Sequence, residues 1–243
     1  MGIKYRDNSI IGAYAGNTPI RDVYTGSTPM WHNYLYNWTY NVADNGRITL
    51  LKYKGSYSGT VTVPSAEQVG HDVQINRITF TNTPALTSID LQHVPFQGSN
   101  MTSVFLNCQN LISVQNIPNA VDMSQAFSNC IKFSQDITSP STVQFLSRTF
   151  SNCKNFTSNI TIQSSIVRSA ANFFNGTTEL KKVYIPFNYT GTTRRTTTFN
   201  TFKTAGYISS SGAPTGVNGA VFYDIPLTRG MRFDPPEEEP DRR

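Results

Sequence analysis

The sequence predicts a mainly β protein: a short repeat solenoid with a β-hairpin module at its N-terminus and a cap at its C-terminus. Three observations carry this. A seven-residue pattern recurs five times at nearly constant spacing. A short run of β-type apolar alternation follows the copies. Only 14% of the 243 residues are charged, against about 25% in an average soluble domain, and polarity comes from Asn, Ser and Thr instead. That composition argues against a charged disordered chain, a coiled coil or a helical enzyme.

Residues 1–40 carry a short repeat of their own. Ala13-Tyr-Ala-Gly-Asn-Thr-Pro-Ile20 is echoed ten residues later by Val23-Tyr-Thr-Gly-Ser-Thr-Pro-Met30. Gly16 and Gly26 read as tight turns between short strands. The Tyr-x-Gly-[Asn/Ser]-Thr-Pro pattern, ending at Trp31, resembles N-terminal segments of bacteriophage tail, baseplate and capsid-appendage proteins. That resemblance implies a docking segment using Tyr14, Gly16, Tyr24, Gly26 and Trp31.

Residues 41–79 read as a hairpin and an N-terminal solenoid cap. Trp38-Thr-Tyr-Asn-Val42 alternates, Asp44-Asn-Gly46 is a strong turn signal, and Ile48 and Leu50 return on the other arm. A solenoid needs such a cover for its open end.

Residues 80–190 hold the repeat. Phe80-Thr-Asn-Thr-Pro-Ala-Leu86, Phe105-Leu-Asn-Cys-Gln-Asn-Leu111, Phe127-Ser-Asn-Cys-Ile-Lys-Phe133, Phe150-Ser-Asn-Cys-Lys-Asn-Phe156 and Phe174-Asn-Gly-Thr-Thr-Glu-Leu180 all fit F-x-[NG]-[CT]-x-x-[LF]. The Phe-to-Phe steps are 25, 22, 23 and 24 residues. Ile89 and Leu91, Val114, and Val183 and Ile185 follow at strand spacing. Ile137 and Ile160 arrive one residue late, which reads as a local bulge. Pro118, Pro140 and Pro186 close strands. One strand per repeat of 20–29 residues means a leucine-rich-repeat type of solenoid. Five coils spaced by about 4.8 Å give a stack of roughly 24 Å.

The F-x-[NG]-C-x-x-L pattern, with its short strand and Ile-Pro, resembles the BspA type of bacterial surface leucine-rich repeat. Ile48-Thr-Leu-Leu-Lys-Tyr-Lys-Gly55 and Gly59-Thr-Val-Thr-Val-Pro64 resemble that family's entry segment. The likeness covers about residues 46–190. It implies the fold and an adhesive or structural role, and it implies no enzyme activity.

Residues 191–231 read as a C-terminal cap. Thr196–Gly206 forms a short helix with a Thr N-cap and with Phe199 and Phe202 on one face. Val221–Ile225 is a final strand. The tail, 232–243, is rich in Pro and Glu and should be disordered in isolation. It sets three arginines against five acids, leaving +7 on residues 1–231 of a chain whose net charge is +5. No Lys/Arg run exceeds two residues, so the excess reads as solubility rather than nucleic-acid binding.

Several residues invite a chemical reading. Thr83, Cys108, Cys130, Cys153 and Thr177 share one repeat column. Parallel side chains, an odd cysteine count and Thr at both ends favour a small buried group over a disulfide or a metal site. His32, His71 and His93 have no metal-ligand spacing and read as surface residues. Asp90 and Asp136 fall two coils apart, about 10 Å along a stack, a separation within glycosidase range. Single charges on a solvated sheet face explain them as well. No cofactor, metal or membrane span is expected.

The function expected is a bacteriophage virion structural protein, a tail, baseplate or capsid appendage located on the virion. It would dock to other virion proteins through 1–40 and the tail, as a homo-oligomer, and present its solenoid to a protein or glycan of the host surface. The alternative is a bacterial cell-surface adhesin of the leucine-rich-repeat class. The absence of a secretory signal at the start favours the first reading.

Overall fold

A computed structural model describes residues 2–6, 9–15, 18–19, 22–25, 28–179, 181–188 and 194–225. Side chains are described for residues 22, 32–179, 181–188 and 194–225. Gly16, Gly26, Leu180 and the 232–243 tail lie outside the described residues.

Two small antiparallel units come first. β1 (Gly2–Arg6), β2 (Ser9–Ala15) and β3 (Thr18–Pro19) form one; β4 (Asp22–Thr25) and β5 (Thr28–His32) form the other. They flank the two positions read as turns. Backbone pairing sets Tyr14 opposite Gly2 and Pro19, Tyr24 opposite Pro29, and Trp31 opposite Val23.

β6 (Trp38–Val42) and β7 (Ile48–Tyr53) then make the expected hairpin. Its turn closes with Ala43 N–H donating to the Arg47 carbonyl, and Gly46 takes φ +82°. β6 crosses the 40/41 boundary read from the sequence. The stack also begins before residue 80. β7 pairs in parallel with β9 (Val73–Ile75), and β8 (Thr60–Thr62) opens the main strand row. Between β8 and β9 lies the single helical turn α1 (Ala66–Val69).

The main row continues through β10 (Ser88–Asp90) and β11 (Ser113–Gln115), then β12 (Ile137–Thr138), β13 (Ile160–Thr161) and β14 (Lys181–Ile185). Its parallel register aligns Val61, Ile89 and Val114 in one sheet and Ile137, Ile160 and Val183 in the next. The late arrival of Ile137 splits the row there. Gln135 bridges the gap: Val114 N–H donates to its Oε1 at 2.7 Å, and its Nε2 donates to the Val114 carbonyl at 2.7 Å. The side-chain amide stands in for the missing ladder partner, so the bulge leaves Val114 satisfied.

The repeat's own residues explain the turns. Asn82, Asn107, Asn129 and Asn152 adopt φ +56° to +62°, and Gly176 takes +73° in the last copy. A left-handed position admits Gly freely and Asn at small cost, which is why the column holds only those two. A Cβ on Gly176 would lie 2.1 Å from Asn152 Oδ1. The amides also bond along the stack, Asn107 to Asn82 at 2.6 Å and Asn129 to Asn107 at 2.7 Å.

The next column is the cysteine column. Cys108 donates to the Phe80 carbonyl, Cys130 to Phe105 and Cys153 to Phe127, each at 3.0 Å. Thr177 donates to Phe150 at 2.6 Å. Each of these later carbonyls also accepts the turn amide of its own coil, such as Cys108 N–H to Phe105. Both lone pairs of a buried carbonyl are thereby used. The column demands a short donor rather than sulfur chemistry, and burial pushes the Cys108 and Cys153 thiols up to about 12 and Cys130 higher still.

Phe80, Phe105, Phe127, Phe150 and Phe174 stack face to face down the core, with ring centroids 5.3–5.9 Å apart. Trp38 meets the first ring edge-on at 6.0 Å and Tyr207 meets the last at 6.2 Å. The hairpin therefore plugs one end of the ladder.

At the other end, α2 (Thr197–Thr204) starts where Thr196 accepts the Phe199 amide, and it buries Phe199 and Phe202. The strand row does not stop at β14. β15 (Ala220–Asp224) adds to it in parallel, so the cap is a further coil whose turn is a helix. Lys181, at the inward start of β14, is 1% exposed. Its Nζ donates to the Thr177 carbonyl at 2.9 Å and the Asn218 carbonyl at 2.6 Å, and lies 4.8 Å from the Phe174 ring centre. No helix among the described residues is long and apolar enough to cross a membrane.

Two outcomes follow. Cys130→Thr keeps the donor and Cys130→Val removes it at nearly equal volume. Denaturant unfolding should find the Thr variant more stable by about 1 kcal/mol; equal stabilities would remove the hydrogen bond from this account. Burial lowers the Lys181 ammonium from 10.5 to about 8. Between those values the unfolded chain binds the proton and the folded chain releases it, so stability rises with pH across the window. Wild type should gain on Lys181→Met between pH 8 and 10.5, with no such trend below pH 8.

Candidate binding face

Along the main row the aligned central residue of each strand turns inward and its immediate neighbours outward. Val61, Ile89, Val114, Ile137, Ile160, Val183 and Phe222 form the buried line. Two polar rails flank it. One joins Thr60, Ser88 and Ser113, with hydroxyls 3.4 and 2.8 Å apart. The other runs Thr62, Asp90 and Gln115, and beyond the split Thr138, Thr161, Tyr184 and Tyr223. The two tyrosines stack at 5.3 Å with 26° between rings, and Tyr223 is 40% exposed. The face thus grades from hydroxyls at the N-terminal end to an aromatic pair beside Lys182 at the C-terminal end.

The two aspartates on this face serve the ladder. Asp90 Oδ1 accepts the Gln92 amide at 2.9 Å and Asn116 Nδ2 at 2.7 Å. Asp136 accepts the Asn159 amide at 2.8 Å and Asn159 Nδ2 at 3.1 Å. The Asn159 backbone amide, followed by its side chain, holds the Asp136 carboxyl below its ordinary range. Asp90 follows its buried Ile89, whereas Asp136 precedes its buried Ile137. They therefore belong to opposite rails and to the two halves of the split row, and the structure does not bring them together as a pair.

His71 and His93 are exposed, as the sequence suggests. His93 lines a groove of about 350 Å3 beyond the strand ends, with Asn119, Thr138, Ser141 and Gln163. Gln92 and His93 are both left-handed there, at φ +53° and +57°. His32 pairs with Asp22 across the β4–β5 unit. The tyrosine stack has no cue in the sequence, since Tyr184 and Tyr223 are 39 residues apart and only β15 brings them into register.

Comparison with curated proteins finds no match. Among solved structures, the chain is similar to a leucine-rich repeat protein of T. pallidum (21% identity, TM-score 0.47, covering 62% of this chain and 70% of that one). It is also similar to a leucine-rich repeat protein of Bacteroides ovatus ATCC 8483 (18%, 0.42, 63% and 46%). A third likeness is to a leucine-rich cell surface protein of Faecalibacterium prausnitzii A2-165 (18%, 0.43, 71% and 50%). The chain spans about half the length of the last two. None of these proteins is described as part of a bacteriophage virion. Residues 76–203, more than half of the chain, match a family, and the chain accordingly belongs to the one described as Mycoplasma protein of unknown function, DUF285.

Proposed function

We propose that the chain is a bacterial surface adhesin of the leucine-rich-repeat class, which binds a protein or glycan through the outward face of its strand row. The observation that carries this is the pair of polar rails. Register fixes hydroxyl, amide and tyrosine groups along one face of the stack. A solenoid offers such an extended surface at little ordering cost, because each coil is already held by its neighbours. The turn pattern's resemblance to BspA-type surface repeats supports the same reading. Asp90 and Asp136 act here as ladder acceptors, and the role proposed is binding without catalysis.

A second reading places the same binding face on a virion, docked through residues 1–40 and the acidic tail. It is favoured by the two antiparallel units of 2–32, whose repeated Tyr-x-Gly pattern motivates it.

Labelled purified chain should bind intact host cells saturably. Tyr184→Ala with Tyr223→Ala should weaken that binding about tenfold, or about 1.4 kcal/mol, with an unchanged melting temperature. Binding that ignores both substitutions would contradict the proposed face. Antibody labelling of the producing bacterium's surface, against labelling of purified virions, separates the two readings.

A further inference from the structure

The hairpin that plugs the ladder also builds a cleft of about 360 Å3. It lies between the turn before β6, the end of β7, the residues after β8, and α1. Its size falls at the lower end of the about 300–1,000 Å3 typical of small-molecule sites. We infer that this cleft is a binding site for a neutral pyranose sugar, beside the N-terminal end of the strand face, with which it shares Thr62.

Three features of the lining point to that ligand. The first is a fixed aromatic wall. Tyr53 is held edge-on by Trp38 at 5.0 Å and by Tyr57 at 5.3 Å, and Tyr34 also lines the cleft, 39% exposed and edge-on to His32 at 4.5 Å. Apolar sugar faces pack on rings of this kind, and rings already immobilised lose little entropy in doing so.

The second feature is a set of oriented amide donors. Asn33, in the lining, accepts the Leu35 amide on its Oδ1 at 3.1 Å, and its Nδ2 is the donor end of the group. Gln68 Oε1 accepts the Ser65 amide at 2.9 Å in the capping box of α1, so its Nε2 is likewise the donor end. Two side-chain amides are thus each clamped by the carbonyl end, with donors remaining for sugar hydroxyls. Thr62 adds a hydroxyl that both donates and accepts.

The third feature is charge. Among the described residues the lining contains no Lys, Arg, Asp or Glu, and its imidazole, His32, is paired with Asp22. A phosphate or uronate would enter without a cation to meet it, whereas hydroxyls exchange water for amides at little cost.

The inference rests on the reading of the chain as a binding protein, but the two fail separately. Calorimetry and protein-detected NMR of the full chain, with a panel of neutral glucose, galactose, mannose and N-acetylglucosamine oligomers, test it. At least one should bind with an affinity of about 1 mM or tighter. Tyr34→Ala should weaken binding about tenfold, and Gln68→Glu, which keeps the capping oxygen and removes the Nε2 donor, should weaken it about threefold. Tyr40→Ala, on the same hairpin but outside the lining, should leave it unchanged. Silence of the whole panel at millimolar concentration would overturn the inference, as would binding insensitive to both cleft variants. Host-cell binding that persists in Tyr34→Ala while the panel stays silent would overturn the cleft and leave the proposed function standing.

Discussion

One phenylalanine per coil, stacked ring on ring, sets the pitch that every other column follows. Five rings at 5.3–5.9 Å fix the distance between successive coils, and every other column must repeat at that pitch. A ring stack of this kind adds about 0.5–1.5 kcal/mol per pair beyond its burial. Its larger effect is on register. A turn that overshoots by a residue moves its Phe out of the stack, so variation in repeat length has to be absorbed elsewhere.

The columns beside the ladder show how. The left-handed Asn or Gly, two residues on, turns the backbone sharply enough to keep the ring inside. The Cys or Thr donor, three residues on, ties each turn to the ring-bearing carbonyl of the coil before it. Variation is confined to the strand side. There Ile137 arrives late, the row divides, and Gln135 bonds across the gap. The outward strand face inherits that division, with Thr62, Asp90 and Gln115 before it and Thr138, Thr161 and the two tyrosines after it.

The core columns were legible in the sequence because they recur: Phe, Asn and Cys declare themselves at fixed spacing, and the helix at 197–204 announces itself through Thr196 and two phenylalanines. What was not legible depends on single residues or on distant pairs. Trp38 reads as an ordinary strand residue until it is seen edge-on to Phe80. Gln135 has no counterpart in other coils. The row's continuation into β15 comes after a 39-residue interval that breaks the period. Lys181 and Lys182 are adjacent identical residues, and only the strand's alternation turns Lys182 outward and Lys181 inward. The cleft at the N-terminal cap likewise joins residues from five elements, with no spacing in common.

The most direct test of the ladder as organiser is Phe127→Ala, at the centre of the stack, with stability measured by denaturant unfolding and local opening by hydrogen exchange. Phe127 is wholly buried and stacks on both Phe105 and Phe150. Stability should fall by about 3–5 kcal/mol, and the turn amides of Phe105 and Phe127, which bond to the following coil, should lose protection together. A loss under about 1 kcal/mol, or opening confined to one coil, would contradict the ladder's organising role.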